Sequence, residues 1–334
     1  MKFTRTKQII FTNNKWWVWK TTLAYNIGKF FAKKWYKTVL IDLDPQCNLS
    51  RLALGEEFMQ KNLFSDNNVY KVLENVINGR WDVDFSIKFT DLWENFSILQ
   101  WNISLSMFES ILSNSFNEAA SWQSRWFFVT SAIDRFLKKK WLHEEVDLFI
   151  IDTNPSLSQL NKSIFLGTDY FLVPMMPDAF NHQWIENIGS FFEQEKRNWN
   201  VTAKVLAREN NILSSEVLNW DPLFLGYIIN SYNVYAKKPI KTHNEWIEKL
   251  PKQVKKFLSF KHCKNWLVDI SWQKELGFTQ DYWQLAGLAQ EKSKAIFEFN
   301  TSEIWEIWTK EILEKAQKEF NIIYENILER INMW

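Results

Sequence analysis

Residues 7–22 read KQIIFTNNKWWVWKTT, and this stretch decides the fold. A short run rich in β-branched and aromatic residues, 8–12 (QIIFT), gives way to a polar loop. The loop ends in Lys20, Thr21 and Thr22, which open a helical stretch over 20–34. A strand feeding a loop and then a helix N-terminus is the layout of a phosphate-binding turn. In such turns glycines let the backbone adopt positive φ and bring N–H groups against phosphate oxygens. The lysine reaches the β/γ-phosphates and the next hydroxyl holds Mg2+. In this chain the loop carries Trp16, Trp17 and Trp19. Three indoles would fill the volume of a triphosphate, and left-handed backbone costs a non-glycine residue about 1–2 kcal/mol.

Working outward, similar apolar runs recur at 38–42, 96–99, 146–151, 170–174, 223–229 and 266–270. Continuous runs of this kind suit strands buried on both faces of a parallel sheet. Helix-like segments lie between them at 67–79, 123–140, 157–168, 181–197 and 240–258, and 201–219 reads as an inserted helix or loop. The alternation predicts an α/β fold, a doubly wound and mostly parallel sheet of about seven strands flanked by helices. Residues 302–332 read as one long charged helix, a helical C-terminal tail. The expected organisation is one α/β domain over 1–290, carrying the phosphate-binding turn, with a helical extension of the same domain over 291–334.

The composition holds one anomaly. The 334 residues include 20 Trp and only 8 Gly, whereas average usage predicts roughly 23 Gly. Together the two types number 28, about what ordinary glycine plus a few tryptophans would give. The excess of one matches the deficit of the other.

With glycine at 16, 17 and 19, residues 15–22 become KGGVGKTT, which closely resembles the deviant Walker A loop of the ParA/MinD family of P-loop ATPases. Two readings of the loop stand side by side. Either the tryptophans are genuine and the chain is a decayed, nucleotide-free relative, or they are glycines written as tryptophan. UGA means Trp in one variant genetic code and Gly in the codes of some bacterial lineages, so the wrong table exchanges these residues and nothing else. The chain-wide counts favour glycine. Local context agrees, since Trp35 falls in a turn between helix and strand and Trp184 in 181-NHQWIENIG-189, both places where the family usually has glycine.

Three further stretches resemble the same family. The run 39-VLIDLDPQCNLS-50 resembles its DPQGN motif, with Cys47 where glycine is usual; the same codon mistake cannot give cysteine, so that departure is real. The resemblance implies that Asp42 orients the magnesium water shell and that Asp44 positions or activates the attacking water. The run 146-VDLFIIDTNPSLS-158 resembles the Walker B strand, with Asn154 for the usual proline; it implies that Asp152 is a second-sphere Mg2+ carboxylate. The run 225-LGYIINSYN-233 ends a strand at Asn230, where the family uses a side-chain amide to read adenine. ATP and Mg2+ are thus the implied cofactors. Positions 16–22 (Trp16, Trp17, Val18, Trp19, Lys20, Thr21 and Thr22) with Asn230 would hold the nucleotide, and Thr21, Asp42 and Asp152 the metal. Lys15, Lys20 and Asp44 would be catalytic. In the deviant class Lys15 crosses an ATP-bridged homodimer interface and contacts the partner's phosphates, as an arginine finger would.

Net charge is +1, so affinity for nucleic acid must come from a local patch. Residues 237–264 hold nine lysines against two glutamates, a stretch that reads equally as a non-specific DNA surface or a solvated helix face. The two cysteines and four histidines show no metal-ligand or disulfide spacing, and a reducing cytosol is the economical inference. The tail over 310–333 mixes acidic and basic residues, which argues against an anionic membrane as partner. The expectation is a cytoplasmic, ATP-dependent dimerising switch in DNA partition, with a possible centromere-binding partner protein. A positioning ATPase for a non-DNA cargo is the alternative, or a nucleotide-free scaffold if the loop tryptophans are genuine.

Overall fold

The computed structural model describes residues 3–13, 19–56, 66–80, 82–118, 125–176, 178–209, 218, 220–230, 234–235, 238–239, 241–258, 275–304 and 310–332. The apolar runs become the strands β1 (Lys7–Phe11), β2 (Thr38–Leu43), β3 (Thr90–Trp93), β4 (Phe96–Leu99), β5 (Leu148–Thr153), β6 (Tyr170–Met175) and β7 (Leu223–Ile229). A two-residue ribbon pairs β8 (Val234–Tyr235) with β9 (Lys238–Pro239), and β10 (Glu275–Phe278) returns to the main sheet. That sheet has eight strands in the order β10-β7-β6-β1-β5-β2-β4-β3, parallel except for β3 against β4.

Strands β1, β2, β5 and β6 are buried along their whole length, as double cover by helices requires. Alternate residues feed two separate cores. Ile10, Val39, Ile41, Phe149 and Ile151 face the helices Val69–Ile77, Ala132–Glu144 and Gln159–Gly167, while Ile9, Phe11, Leu40, Leu148 and Ile150 face the helices Lys20–Lys33 and Lys310–Asn332. Gly28 lets the first helix lie close on the sheet. A Cβ there would stand 2.8 Å from Leu40 Cδ2.

The strands and helices differ from the expected segments in detail. The eight strands bear out the expected mostly parallel sheet of about seven, with one edge strand that was not read. The edge strand Thr90–Trp93 alternates half-buried and exposed residues, which gives no continuous apolar run to read. Residues 266–270, read as a strand, lie outside the described residues; Glu275–Phe278, with a glycine at 277, pairs with β7. Residues 201–209 are no insertion, because they continue the helix Ala179–Glu209. In the C-terminal stretch the described helices are Thr301–Ile304 and Lys310–Asn332; the second buries Leu313, Ala316, Phe320, Ile323, Tyr324, Ile327 and Ile331 in the core. Among the described residues no helix is long and apolar enough to cross a membrane.

Candidate active site

The strand order places β1 between β5 and β6; the chain leaves β1 for β2 on one side, and the connection from β5 later crosses past β1 to β6 on the other. The crevice at the carboxyl end of β1 is therefore the switch point where open α/β sheets bind ligands. Parallel register sets the acids there. Asp42 is the cross-strand partner of Asp152, which is also paired with Phe11 of β1. Helix Lys20–Lys33 starts over this edge and supplies Lys20 and Thr21 from its first turn.

Asp152 holds both of those side chains. Lys20 Nζ donates to Asp152 Oδ1 at 2.5 Å and to the Thr153 carbonyl, and Thr21 Oγ1 donates to Asp152 Oδ2 at 2.7 Å. Lys20 Nζ also lies 3.7 Å from Asp44 Oδ2. Lys20, Asp42, Asp44 and Asp152 are all buried. Two carboxylates, Asp152 and Asp44, thus share one ammonium, with the buried Asp42 beside Asp152, an arrangement short of positive charge. Burial, with Asp152 adding to it, pushes the Asp42 carboxyl up to about 7, against hydrogen bonds from Ser50 and Asp44 that favour its charge. Burial also raises Asp44, and Lys20 opposes the rise. A divalent cation would relieve this deficit, so the residues fit Mg2+. Among the described residues no group of three or more His, Cys, Asp or Glu side chains could hold a metal alone. Mg2+ suits such a place, since it keeps several waters and takes its other ligands from phosphates.

Asp42 does a second thing that its sequence position did not reveal. Its Oδ1 accepts the Asp44 backbone N–H at 3.1 Å, and its Oδ2 accepts the Ser50 N–H at 2.8 Å and the Ser50 hydroxyl at 2.6 Å. Ser50 Oγ in turn accepts the Trp101 N–H at 3.1 Å, which ties the end of β4 to the same knot. The loop between is a tight turn, with Gln46 N donating to Asp44 Oδ1 and Cys47 N to the Asp44 carbonyl. Cys47 takes φ 47°, the left-handed conformation for which glycine is the usual residue. Ser50 was missed because a serine in the first turn of a helix normally reads as a cap.

Just past β5, Asn154, where proline is usual, builds a turn. Its Oδ1 accepts from Ser156 N and Oγ and from Asn161 Nδ2. Ser158 then caps the helix Gln159–Gly167. Thr22 offers its carbonyl to Asn26 within the first helix. Asn230 follows β7 and anchors its N–H to the Met175 carbonyl, yet neither atom of its buried side-chain amide has a partner among the described residues. The buried Thr279 hydroxyl, just past β10, is equally unpaired. Thr279 N donates to the Ile229 carbonyl, so the two orphans sit on neighbouring strand ends. Unpaired buried polar groups are costly, and an amide with both functions free suits a nucleobase edge. Lys15, Trp16, Trp17 and Val18 lie outside the described residues. Trp19 precedes the first helix with φ −8° and its ring lies 6.4 Å from that of Tyr282.

A family model described as "AAA domain" matches residues 6–205, more than half of the chain. The virulence plasmid ParA family protein pGP5-D of Chlamydia psittaci is 26% identical over 234 residues, covering 67% of this chain and 79% of that protein. Protein DIP2308 of Corynebacterium diphtheriae superimposes with a TM-score of 0.72 at 19% identity, covering 98% of this chain and 99% of the other. A putative plasmid partition protein of Borrelia burgdorferi, bound to AMPPNP, superimposes with a TM-score of 0.59 at 18% identity and the same coverage.

Proposed function

The chain belongs to the ParA/MinD-type family of P-loop ATPases, whose members partition or position cellular cargo, and from that premise we propose that it is an ATP-dependent dimerising switch acting in DNA partition. The carrying observation is the buried group Lys20–Asp152–Thr21 beside Asp44 at the switch point of the sheet.

Lys20 and Thr21 are engaged with Asp152, and both must turn from it to serve a nucleotide. Lys20 would take the β/γ-phosphates and Thr21 the metal, with Asp42 and Asp152 behind it. Mg2+, when bound, neutralises charge developing on the transferred phosphoryl group. Asp44, 3.7 Å from Lys20, would orient the attacking water; its backbone N–H is held by Asp42 Oδ1, and Ser50 holds the other oxygen of Asp42. Asn230 and Thr279 offer their unpaired groups to the base. Lys15 is proposed, on the family resemblance, to reach the partner's phosphates across an ATP-bridged dimer.

DNA is favoured as the surface bound because of the helix Lys241–Phe257. Leu250 and Val254 are buried, while Lys249, Lys252, Lys255 and Lys256 are exposed along its outer side. A centromere-binding protein as activating partner follows from the same family resemblance. The reading requires glycine at 16, 17 and 19. Equilibrium ATP binding and sedimentation on the chain carrying those glycines test it. ATP, but not ADP, should give a dimer, and Lys15→Ala should slow hydrolysis more than it weakens ATP affinity. No ATP binding, or a monomer under saturating ATP, would favour the nucleotide-free scaffold or another mode of action.

A further inference from the structure

We propose that the native chain carries glycine, encoded by UGA, at positions 35 and 220 as well as in the phosphate loop, so that the exchange of glycine for tryptophan runs through the whole gene. The backbone carries this assignment. Six non-glycine residues with positive φ occur among the described residues, and two of them are tryptophans, Trp35 at φ 69° and Trp220 at φ 44°. A bulky side chain is the least suited to that conformation, and glycine adopts it freely.

Among the described residues the Trp35 indole has no aromatic contact to compensate that conformation; the Trp220 ring packs against Phe191 and Phe192, so at that position the backbone conformation alone carries the assignment. Trp35 closes the turn between the helix Lys20–Lys33 and β2, where its N–H donates to the Ala32 carbonyl, and its side chain is 67% exposed. Trp220 is fully buried just before β7, and its indole N–H has no partner among the described residues. Trp184, in the helix Ala179–Glu209, is buried with the same orphaned N–H. The orphan alone does not decide, since Trp126 shares it. Left-handed backbone is what singles out positions 35 and 220. Other tryptophans do have a role for the ring: Trp199 Nε1 donates to the Leu218 carbonyl, and Lys29 Nζ stands 3.9 Å over the ring of Trp93.

The inference does not rest on the ATPase reading. Trp35 sits at the opposite end of the first helix from Lys20, and Trp220 precedes the amino end of β7, on the edge of the sheet away from the active site. Decay of a nucleotide site would leave glycine at both. One codon assigned UGA-to-glycine accounts for these turns, for the loop, and for 20 Trp against 8 Gly in the same chain.

The test reads the gene and weighs the protein from its native host. Codons 16, 17, 19, 35, 184 and 220 should be TGA, and proteolytic peptides spanning 35 and 220 should have the glycine mass, lighter than the tryptophan form by what an indolylmethyl group adds. TGG at either position 35 or 220, or a peptide of tryptophan mass there, overturns the assignment. ATP binding by the glycine-bearing chain is a separate measurement, so the function can fail while this inference stands, and the reverse.

Discussion

Lys20 and Asp152 form a buried ion pair, Nζ to Oδ1 2.5 Å, with Thr21 donating to the other oxygen of the same carboxylate. The two groups that should meet phosphate and metal are thus parked on one acid. The pair also keeps Asp152 from being an uncompensated charge between β1 and β2, so Lys20 supports the fold besides its proposed part in nucleotide binding.

That double duty separates two substitutions in the glycine-bearing chain. Lys20→Ala should abolish ATP binding and also destabilise the protein, because breaking a buried pair from one side costs about 3–5 kcal/mol. Asp44→Ala should leave ATP binding nearly intact and lower kcat at least tenfold, trapping the ATP state. Filter binding, single-turnover hydrolysis and thermal melts read all three quantities. Parental hydrolysis by Asp44→Ala would remove that carboxylate from the mechanism.

Ser50 tests the knot behind Asp44. Its hydroxyl donates to Asp42 Oδ2 at 2.6 Å and accepts from Trp101 N. Removing a hydrogen bond to a charged group costs about 1.5–3 kcal/mol, and here the loss should loosen the Asp44 turn. Ser50→Ala should lower kcat about tenfold with little change in KM, and Ser50→Thr should restore most of it. A KM effect with unchanged kcat would make Ser50 merely a residue of the fold.

The sheet was legible in the sequence wherever strands are buried on both faces, because β1, β2, β5 and β6 then need unbroken apolar runs. The half-exposed β3 carried no such signal, and β10 is too short and glycine-interrupted to stand out. At the site, Lys20, Thr21, Asp42, Asp44 and Asp152 were readable because each ends a strand or opens a helix, and the structure brings these five together. Ser50, the Thr153 carbonyl and Thr279 were not, since their roles come from register between elements remote in sequence.

Glu275 makes stability depend on pH. Burial pushes its carboxyl up to about 7 from 4.5, with the Arg330 guanidinium opposing and Tyr227 nearby. A raised folded value means the folded state binds the proton more tightly. This contribution is therefore full below about pH 4.5 and lost as pH rises to about 7. Glu275→Gln should flatten that slope and stabilise the protein at pH 8 by about 1–2 kcal/mol, allowing for partial solvent screening. Urea melts at pH 5 and pH 8 decide it; an unchanged difference between the two would mean the charge is solvated. Asp42 shifts in the same direction, so some slope remains in the variant.

Trp35 gives a stability test of the left-handed turn. Trp35→Gly removes an exposed ring and relieves φ 69°. The relief, about 1–2 kcal/mol, exceeds the extra chain entropy of glycine, about 0.5–1 kcal/mol. A net gain of about 0.5–1 kcal/mol is expected in thermal or urea melts. Destabilisation would show that the indole holds the turn.

The lysine face of the helix Lys241–Phe257 carries the DNA reading. Leu250 and Val254 anchor it, and Gly189 of the helix Ala179–Glu209 permits the close approach; a Cβ there would stand 2.3 Å from the Phe257 carbonyl oxygen. A face so held is a fixed array of charge rather than a loose tail. Lys252, Lys255 and Lys256 lie within one turn or so of each other and are exposed. Each lysine that neutralises a phosphate releases counterions, so log K should fall with log[salt] by about 0.9 per contact. Binding should tolerate any sequence, because phosphate contacts carry no base information. Replacing all three lysines with glutamine keeps the buried face and should lower the salt slope by up to about 2.7, with ATP binding unaffected. Fluorescence anisotropy on two unrelated duplexes across a salt series, in the presence of ATP, measures both quantities. An unchanged slope would leave these lysines as a solvated face and turn the proposal toward a cargo other than DNA.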